Sequence, residues 1–313
     1  MQPIIQVDNL TKCYKNADTN AVDGISFTVA PGEFFTLLGP NGAGKTTTIS
    51  ILTTMLSPTS GTARIAGHDI VQEASAVRQN VGIIFQKPSL DLNLTAEENV
   101  RFHAILYGLY PFRPSFSTMP GAYQQQVHQL ATILGIQAEI FKPVKTFSGG
   151  MKRKLEIIRS LIHRPRVLFL DEPTVGLDPV SRRNLWEYLT QVRTETDTTV
   201  FLTTHYLEEA EEADTVCIIN KGRIVSYGPP AEVKAQLIEE YVLIDAEDRE
   251  QLRAELLRLG ALFSETPLFK VDLNGHNAHQ LLKAIDTPLT VLQTHTPTLE
   301  DAYLAIVGRD DET

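Results

Sequence analysis

The residues with the clearest chemistry form one glycine-rich loop. It spans positions 39–46 and reads Gly39-Pro40-Asn41-Gly42-Ala43-Gly44-Lys45-Thr46. Glycines let the backbone turn tightly and point successive N–H groups inward, which makes a nest for phosphate oxygens. In a loop of this pattern the lysine reaches the β- and γ-phosphates of a nucleoside triphosphate, and the threonine hydroxyl binds Mg²⁺. The sequence therefore predicts a phosphate-binding loop.

The flanking segments predict the two elements that hold this loop in place. Residues 34–38 are a short apolar run with the length and composition of a strand, and residues 47–52 open a helix that ends before Pro58. A helix that begins at the loop adds free N–H groups and the positive end of its dipole. This strand–loop–helix context distinguishes a phosphate site from a chance match.

A pair of acidic residues, Asp171 and Glu172, follows the apolar run at 167–170. The carboxyl ends of parallel strands face the crevice in which α/β sheets bind ligands. At such a position Asp171 can hold Mg²⁺ through water, and Glu172 can polarise the water that attacks the γ-phosphate. Taken alone, the same pattern fits the end of an ordinary buried strand equally well.

A further candidate is the turn Ser148-Gly149-Gly150, which precedes a predicted helix. Adjacent glycines at a helix N-terminus form another anion nest. The helix places apolar residues on one face, namely Met151, Leu155, Ile158 and Ile162. It places basic residues mostly on the other face, namely Lys152, Arg153, Lys154 and Arg159. For this segment alone, an ordinary serine-capped helix is the alternative.

Composition limits the classes of function. The chain has 313 residues, of which 42% are hydrophobic, and a net charge of −10. Residues 236–313 hold 15 acidic and 6 basic residues, so most of the excess charge lies there. That excess argues against binding to nucleic acid, which depends on neutralising phosphates. The longest apolar stretches have the length of strands, so we expect no insertion into a membrane. The two cysteines, Cys13 and Cys217, are too few for a disulfide framework or a zinc site.

The order of patterns predicts two domains. Alternating residues at 4–29 predict an antiparallel sheet, and apolar runs at 34–38, 81–85, 167–170 and 200–203 predict buried parallel strands. Residues 92–147 have mostly helical patterning and begin with a capping box at Thr95 and Glu98. Near residue 236 the pattern changes to short strands and helices. We therefore predict domains at 1–235 and 236–313, the second a small acidic α+β domain.

Together these motifs resemble the ATP-binding subunit of an ABC transporter over residues 4–230. The resemblance implies an α/β fold: a RecA-like P-loop ATPase core with an antiparallel β-subdomain and an inserted helical subdomain at 92–147. It also implies ATP and Mg²⁺ as ligands and ATP hydrolysis as the activity.

The resemblance assigns roles to individual residues. Tyr14 corresponds to the aromatic ring that stacks on adenine. Cofactor contacts within one subunit come from Tyr14, Gly39, Pro40, Asn41, Gly42, Ala43, Gly44, Lys45, Thr46 and Thr47. The residues implied to bind the metal are Thr46, Gln86 and Asp171. Those implied to act in catalysis are Glu172, Gln86 and His205, the last as the histidine that contacts the γ-phosphate.

Four more residues are implied to act across a dimer. Ser148, Gly149 and Gly150 match the signature turn that contacts nucleotide held by the other subunit, and Asp178 matches a loop exchanged between subunits. The commonest signature reads Leu-Ser-Gly-Gly-Gln, whereas Met151 here replaces the glutamine. A methionine side chain cannot donate the hydrogen bond of a glutamine, although the serine and both glycines remain.

Finer features resemble the drug-resistance, daunorubicin-type branch, whose members pair with ABC-2 type permeases. These features are Met151, Gln86-x-Pro88-x-Leu90-Asp91, Thr95-x-x-Glu98-Asn99 and Leu299-Glu300-Asp301-Ala302-Tyr303-Leu304. The branch implies an exporter at the cytoplasmic face of the cell membrane, with a polytopic permease subunit and a second ATP-binding subunit, the latter expected to be another copy of this chain. The segment 92–147 is the expected docking surface for the permease.

Two other functions remain open at this stage. One is a soluble ATP-driven switch in translation or DNA repair, although the sequence has only one phosphate loop and no coiled-coil or zinc-binding insertion. The other is the motor of an importer, which branch resemblance alone disfavours.

Overall fold

The computed structural model describes residues 2–301 except 16, 86–88, 176–178, 238–240, 266, 274–277 and 296–297. The chain forms two compact units, Met1–Gly228 and Pro229–Thr313. The division comes a few residues before the boundary at 235/236 that the sequence predicts. That prediction follows the change in charge, whereas the second unit already begins with a helix, Pro230–Leu237.

The first unit combines helices with strands. In chain order they are β1 (Ile5–Cys13), β2 (Asn20–Val29), β3 (Phe34–Leu38), β4 (Ser60–Ile65), β5 (His68–Asp69), β6 (Val81–Ile84), β7 (Val167–Asp171), β8 (Thr199–Thr204), β9 (Thr215–Asn220) and β10 (Arg223–Gly228). Its helices are α1 (Lys45–Leu52), α2 (Ala74–Asn80), α3 (Ala96–Leu106), α4 (Gly121–Ile133), α5 (Gly149–Leu161), α6 (Pro179–Thr196) and α7 (Leu207–Glu211).

An antiparallel sheet has the strand order β2-β1-β4-β5. Along β2, Ile25, Phe27 and Val29 are buried while the residues between them are exposed. This alternation is typical of a sheet with one face on the core. The ring of Phe27 stacks on Phe35 of β3 with centroids 5.2 Å apart, so this sheet shares its core with the next one.

The central sheet has the order β10-β9-β3-β8-β7-β6. Strands β9, β3, β8, β7 and β6 run parallel, and β10 is antiparallel to β9. Every residue of β3, β7 and β8 is buried, as expected for strands covered on both faces. The four predicted parallel strands are present, whereas β9 and β10 are not among the predicted elements. Because β3, β7 and β8 are neighbours, their carboxyl ends meet at one edge.

Helices α3, α4 and α5 form the insertion between β6 and β7. Helix α3 begins with the predicted capping box, in which Thr95 Oγ1 accepts from the N–H of Glu98 and Glu98 Oε2 accepts from the N–H of Thr95. The fold class predicted from the sequence, an α/β core with an antiparallel sheet and a helical insertion, is confirmed. Within the described residues, every helix is too short or too polar to cross a lipid bilayer.

The second unit is a small α+β structure. It contains α8 (Pro230–Leu237), β11 (Tyr241–Ala246), α9 (Arg249–Arg258), β12 (Phe263–Ser264), β13 (Phe269–Asp272), α10 (Ala278–Lys283) and β14 (Leu289–His295). The antiparallel sheet has the order β12-β13-β11-β14. Its core includes Ile244, Leu256 and Phe269, which lie on β11, α9 and β13.

Candidate functional site

The glycine-rich loop connects β3 to α1 at the edge where the parallel strands end. Gly39 N–H donates to the carbonyl of Thr204 over 3.3 Å, which fixes the start of the loop to the end of β8. Gly44 has φ +108°, and a Cβ there would lie 2.4 Å from the carbonyl oxygen of Ala21. Both the conformation and the close approach therefore require glycine at this position.

Lys45 points into the loop and is only 4% exposed. Its ammonium donates to the carbonyls of Gly39 over 2.7 Å and Pro40 over 3.1 Å. The same nitrogen lies 3.3 Å from Glu172 Oε1. One positive charge is thus held at the N-terminus of α1, where main-chain N–H groups also favour an anion.

Asp171 ends β7 and lies beside the loop. Its Oδ1 accepts hydrogen bonds from Thr203 Oγ1 over 2.6 Å and from Thr46 Oγ1 over 3.3 Å. A hydroxyl and a carboxylate are the oxygen ligands that Mg²⁺ takes from a protein, which usually supplies few of them beside phosphate and water. The described residues contain no cluster of three or more His, Cys, Asp or Glu that would suit another kind of metal centre. The donor set therefore fits Mg²⁺.

Glu172 has φ +45°, a left-handed conformation that is uncommon for glutamate. Its N–H donates to the carbonyl of Thr203 over 3.1 Å, which holds this backbone against β8. Its Oε1 lies 3.3 Å from His205 Nδ1 as well as from Lys45 Nζ. Strained backbone of this kind is concentrated at functional sites. The structure thus brings a carboxylate, an ammonium and an imidazole together at the phosphate loop.

A cavity of about 510 Å³ opens over these groups. Its lining consists of Ala21, Asn41, Gly42, Gly44, Lys45, Thr46, Thr47, Glu172, Val175, His205 and Tyr206. Tyr14 is 46% exposed, and its hydroxyl lies 3.3 Å from Thr47 Oγ1. The aromatic ring predicted to stack on adenine is therefore accessible and lies next to the start of α1.

The Ser148 turn caps α5, since Ser148 Oγ accepts from the N–H of Met151 over 3.3 Å. This contact uses the main chain of Met151, so the cap does not depend on the side chain at that position. A Cβ on Gly149 would have no described atom within 4 Å, so packing within the described chain does not require glycine there. Among the described residues, the lining of the phosphate-loop cavity does not include the turn. The structure does not bring these two predicted parts of the site together.

Two predicted site residues, Gln86 and Asp178, lie outside the described residues. The residues on either side of 86–88 are described, and both Phe85 and Ser89 have contacts with α5.

Sequence reasoning missed three residues near the site. Thr203 holds Asp171, as described above. Arg153 belongs to the basic residues that the sequence places mostly on the face of α5 opposite the apolar ones. It is nevertheless only 5% exposed, because its guanidinium has carbonyl and carboxylate partners inside the fold.

The third is Glu209 of α7, which accepts hydrogen bonds from the hydroxyls of both Thr174 and Thr204. Burial raises the pKa of the Glu209 carboxyl. Glu209 therefore ties the segment after Glu172 to the strand end that carries His205. In the sequence Glu209 is only an acidic residue within the segment of α7, and no local pattern shows that it is buried.

Comparisons of this chain with family profiles, characterised proteins and solved structures point to the same family. The family profile described as ABC transporter matches residues 22–175. The Nod factor export ATP-binding protein I of Ralstonia nicotianae is 35% identical, over 98% of this chain and 95% of its own length. The daunorubicin/doxorubicin resistance ATP-binding protein of Streptomyces peucetius is 39% identical, over 82% of this chain and 74% of its own. The structure of cbiO1 from Clostridium perfringens, part of the ABC transporter complex cbiONQ, matches with a TM-score of 0.66 at 28% identity, covering 83% of this chain and 97% of that one.

Proposed function

This chain belongs to the ATP-binding subunits of ABC transporters, and we propose that it hydrolyses ATP with Mg²⁺ to drive export through a separate membrane subunit. The observation that carries the proposal is that Lys45, Asp171 and Glu172 meet at the phosphate loop. The distance from Lys45 Nζ to Glu172 Oε1 is 3.3 Å. Relatives with drug-resistance and Nod factor export names support the resemblance to the drug-resistance branch.

Each group of the site has a role in this proposal. The loop N–H groups and Lys45 bind the phosphates, and Tyr14 stacks on the adenine. Thr46 and Asp171 would hold Mg²⁺, which supplies positive charge to the β- and γ-phosphates when bound. Glu172 accepts a proton from the attacking water. His205, whose Nδ1 lies 3.3 Å from Glu172 Oε1, contacts the γ-phosphate.

A second copy of the chain completes the site in this proposal. The turn at Ser148 is exposed and lies away from the phosphate-loop cavity of its own chain. A symmetric dimer brings the same patch of each subunit onto its partner, so each turn meets the other subunit's loop. ATP bound between the two surfaces then favours closure, and loss of the γ-phosphate lets them separate.

The helical insertion supplies a surface for the membrane partner, which we propose to be an ABC-2 type permease. Leu106 is 84% exposed and Phe112 is 62% exposed, so α3 and the loop after it present large apolar side chains to solvent. Contiguous exposed apolar surface is typical of protein interaction sites, and these two side chains lie six positions apart in the chain. Leu106 also lines a groove of about 400 Å³, together with Tyr107, Gly108 and residues of α2 that include Arg78. We place the chain on this basis at the cytoplasmic face of the membrane.

Two alternatives predict different associations. A soluble switch in translation or repair would co-purify with ribosomes or DNA and leave the membrane fraction empty of this chain. An importer motor would be encoded beside a substrate-binding protein. The names of the relatives favour neither. Crosslinks between the surface around Phe112 and a polytopic membrane protein would support the permease, and their absence from an assembled complex would refute this docking surface.

The variant Glu172→Gln tests the catalytic assignment. It keeps the side-chain shape but removes the base, so we expect ATP turnover to fall about 10²–10⁴-fold. ATP binding, measured by equilibrium titration, should persist because the loop and Lys45 are intact. Glu187→Gln is the matched control, since Glu187 is on the surface of α6 and pairs only with exposed Arg183 among the contacts described. Turnover at the wild-type rate in Glu172→Gln would remove Glu172 from the mechanism.

A further inference from the structure

Helix α5 carries a buried arginine one turn after the Ser148 turn. The guanidinium of Arg153 donates from Nε to the carbonyl of Pro173 over 2.9 Å and from Nη1 to the carbonyl of Phe85 over 2.5 Å. Pro173 directly follows Glu172, and Phe85 directly precedes Gln86. One side chain therefore joins α5 to the main chain beside two of the predicted catalytic residues.

Glu156, one turn further along α5, bonds both to Arg153 and to the main chain after residues 86–88. Its Oε2 accepts from Arg153 Nη1 over 2.9 Å, and its Oε1 accepts from the N–H of Ser89 over 3.0 Å. Ser89 is the first described residue after Gln86. Arg159, on the next turn, donates to the carbonyl and the hydroxyl of Ser89, both over 2.6 Å. Helix α5 thus holds the main chain on both sides of the segment 86–88.

The energetic setting of this pair argues for a role beyond packing. Arg153 is 5% exposed and Glu156 is 1% exposed. Burial lowers the pKa of the Arg153 guanidinium, and the carboxylates of Glu156 and Asp171 oppose that shift. A buried ion pair contributes little net stability compared with apolar side chains of similar size. Its distinctive property is directional: two charged groups, bonded to each other, hold three main-chain groups in one arrangement.

We infer that Arg153 and Glu156 are positioning residues for ATP hydrolysis, which hold Phe85, Ser89 and Pro173 in register with the Ser148 turn. This inference rests on the proposed function and deepens it. When the Ser148 turn moves onto a nucleotide held by the partner subunit, α5 carries Phe85, Ser89 and Pro173 with it. The attacking water is then aligned only when the turn is in place.

Loss of Arg153 or Glu156 should change the rate of ATP hydrolysis more than the binding of ATP. Neither Arg153 nor Glu156 lines the phosphate-loop cavity among the described residues, so ATP binding should be little changed by their replacement. Catalysis is more sensitive, because a displacement of about 1 Å from productive geometry can cost about 10²-fold in rate. We therefore expect Arg153→Gln to lower kcat about 10–100-fold with KM for ATP within about threefold of wild type.

A matched control is available in the same insertion. Arg101 of α3 is 3% exposed, pairs with Glu97 over 3.0 Å and donates to the carbonyl of Arg113 over 2.7 Å. Arg101→Gln therefore breaks an equally buried pair that has no contact beside Gln86 or Glu172 in the described structure. Both variants should lower the Tm of the full-length chain, but only Arg153→Gln should lower kcat by this amount.

A double-mutant cycle separates positioning from general destabilisation. If Arg153 acts through Gln86, the variant Arg153→Gln/Gln86→Ala should lose no more activity than the more damaging single variant, since coupled residues are not additive. Additive losses, or equal kcat losses in Arg153→Gln and Arg101→Gln, would overturn the inference. If Arg153→Gln does not fold, Glu156→Gln takes its place in the same cycle. Arg153 and Ser89 donate to different oxygens of Glu156, and in glutamine one of these becomes an NH2 group that cannot accept.

The failure of this inference can be distinguished from failure of the proposed function. If Glu172→Gln stops turnover while Arg153→Gln behaves like Arg101→Gln, only the positioning role is refuted. If the wild-type chain neither binds nor hydrolyses ATP, the proposed function and this inference fall together.

Discussion

Replacing Thr203 with valine removes one hydroxyl beside the proposed metal site and leaves the shape of the side chain almost unchanged. Thr203 is fully buried in β8. Its hydroxyl donates to Asp171 Oδ1 over 2.6 Å and accepts from the N–H of Glu172 over 3.2 Å. Glu172 N–H keeps a second acceptor, the Thr203 carbonyl at 3.1 Å. The substitution therefore mainly takes away a donor to the Asp171 carboxylate.

The size of the effect follows from the kind of bond that is lost. A hydrogen bond to a charged group contributes about 1.5–3 kcal/mol, and leaving the buried partner unsatisfied costs a similar amount. For a unit of this size, that range corresponds to a Tm lower by about 3–12 °C. Loss of the residue that orients a metal ligand typically costs about 10–100-fold in metal affinity or activity. We expect the Mg²⁺ concentration for half-maximal ATP turnover to rise by about that factor.

The control substitution lies in the adjacent strand. Thr36 of β3 is also fully buried, but its hydroxyl has no hydrogen-bond partner among the described residues. Thr36→Val should therefore leave Tm equal or higher, because an unsatisfied buried hydroxyl is replaced by a methyl group. The assay is ATP turnover against Mg²⁺ concentration for both variants, with ATP binding in EDTA measured separately.

The two titrations distinguish the possible roles of Thr203. If Thr203→Val lowers Tm but needs no more Mg²⁺ than wild type, Thr203 is only a packing residue and does not orient Asp171 for Mg²⁺. If both variants shift the Mg²⁺ titration equally, the effect belongs to the sheet and not to the contact with Asp171.

Two other predictions test the dimer and the pH dependence. Chains with Lys45→Ala and chains with Ser148→Arg should each be inactive, whereas an equal mixture should recover up to about a quarter of wild-type turnover. Half of randomly paired dimers are mixed, and each mixed dimer has one intact site out of two. No recovery after confirmed subunit exchange would contradict completion of the site across the dimer. Burial, with Arg159 and His163 close by, lowers the pKa of His103 from 6.5 to about 3, so the native state keeps His103 neutral where the unfolded chain protonates it. The free energy of unfolding should therefore fall as the pH drops from about 6.5 towards 3, with about 2 kcal/mol lost from this group at pH 5. His103→Leu should lose less Tm than the wild type between about pH 7.5 and pH 5. An unchanged pH dependence would contradict the burial of a neutral imidazole.

The parts of the fold that the sequence predicts are those encoded locally. The phosphate loop has its glycines, lysine and threonine within eight consecutive positions, and the preceding strand is one apolar run. The capping box before α3 involves residues three positions apart, so pattern reading locates it. Strand β9 contains an apolar run at residues 216–219 that the sequence reading missed, whereas β10 is half exposed and is defined by its pairing with β9.

The contacts that orient the candidate site are not encoded in this way. Thr203 is 32 residues from Asp171, and Arg153 is 68 residues from Phe85 and 20 from Pro173. The basic residues at 152–154 form one run in the sequence, and helical periodicity alone puts them mostly on the face of α5 opposite the apolar residues. The structure buries the middle one, because three segments leave a carboxylate and two carbonyl oxygens at the same point inside the fold.

This difference explains why the two kinds of residue need different tests. A residue encoded in a local motif, such as Lys45, acts on the nucleotide directly, so its loss should change binding. A residue such as Arg153 acts through main-chain atoms of other segments, so its loss should change the rate at saturating ATP and should couple to Gln86. The phosphate-loop motif would be intact in a chain that lacked Arg153, Glu156 or Thr203. A chain can therefore carry every residue of the nucleotide-binding motif and still turn over ATP slowly, if its α5 helix does not hold the segments on either side of the site.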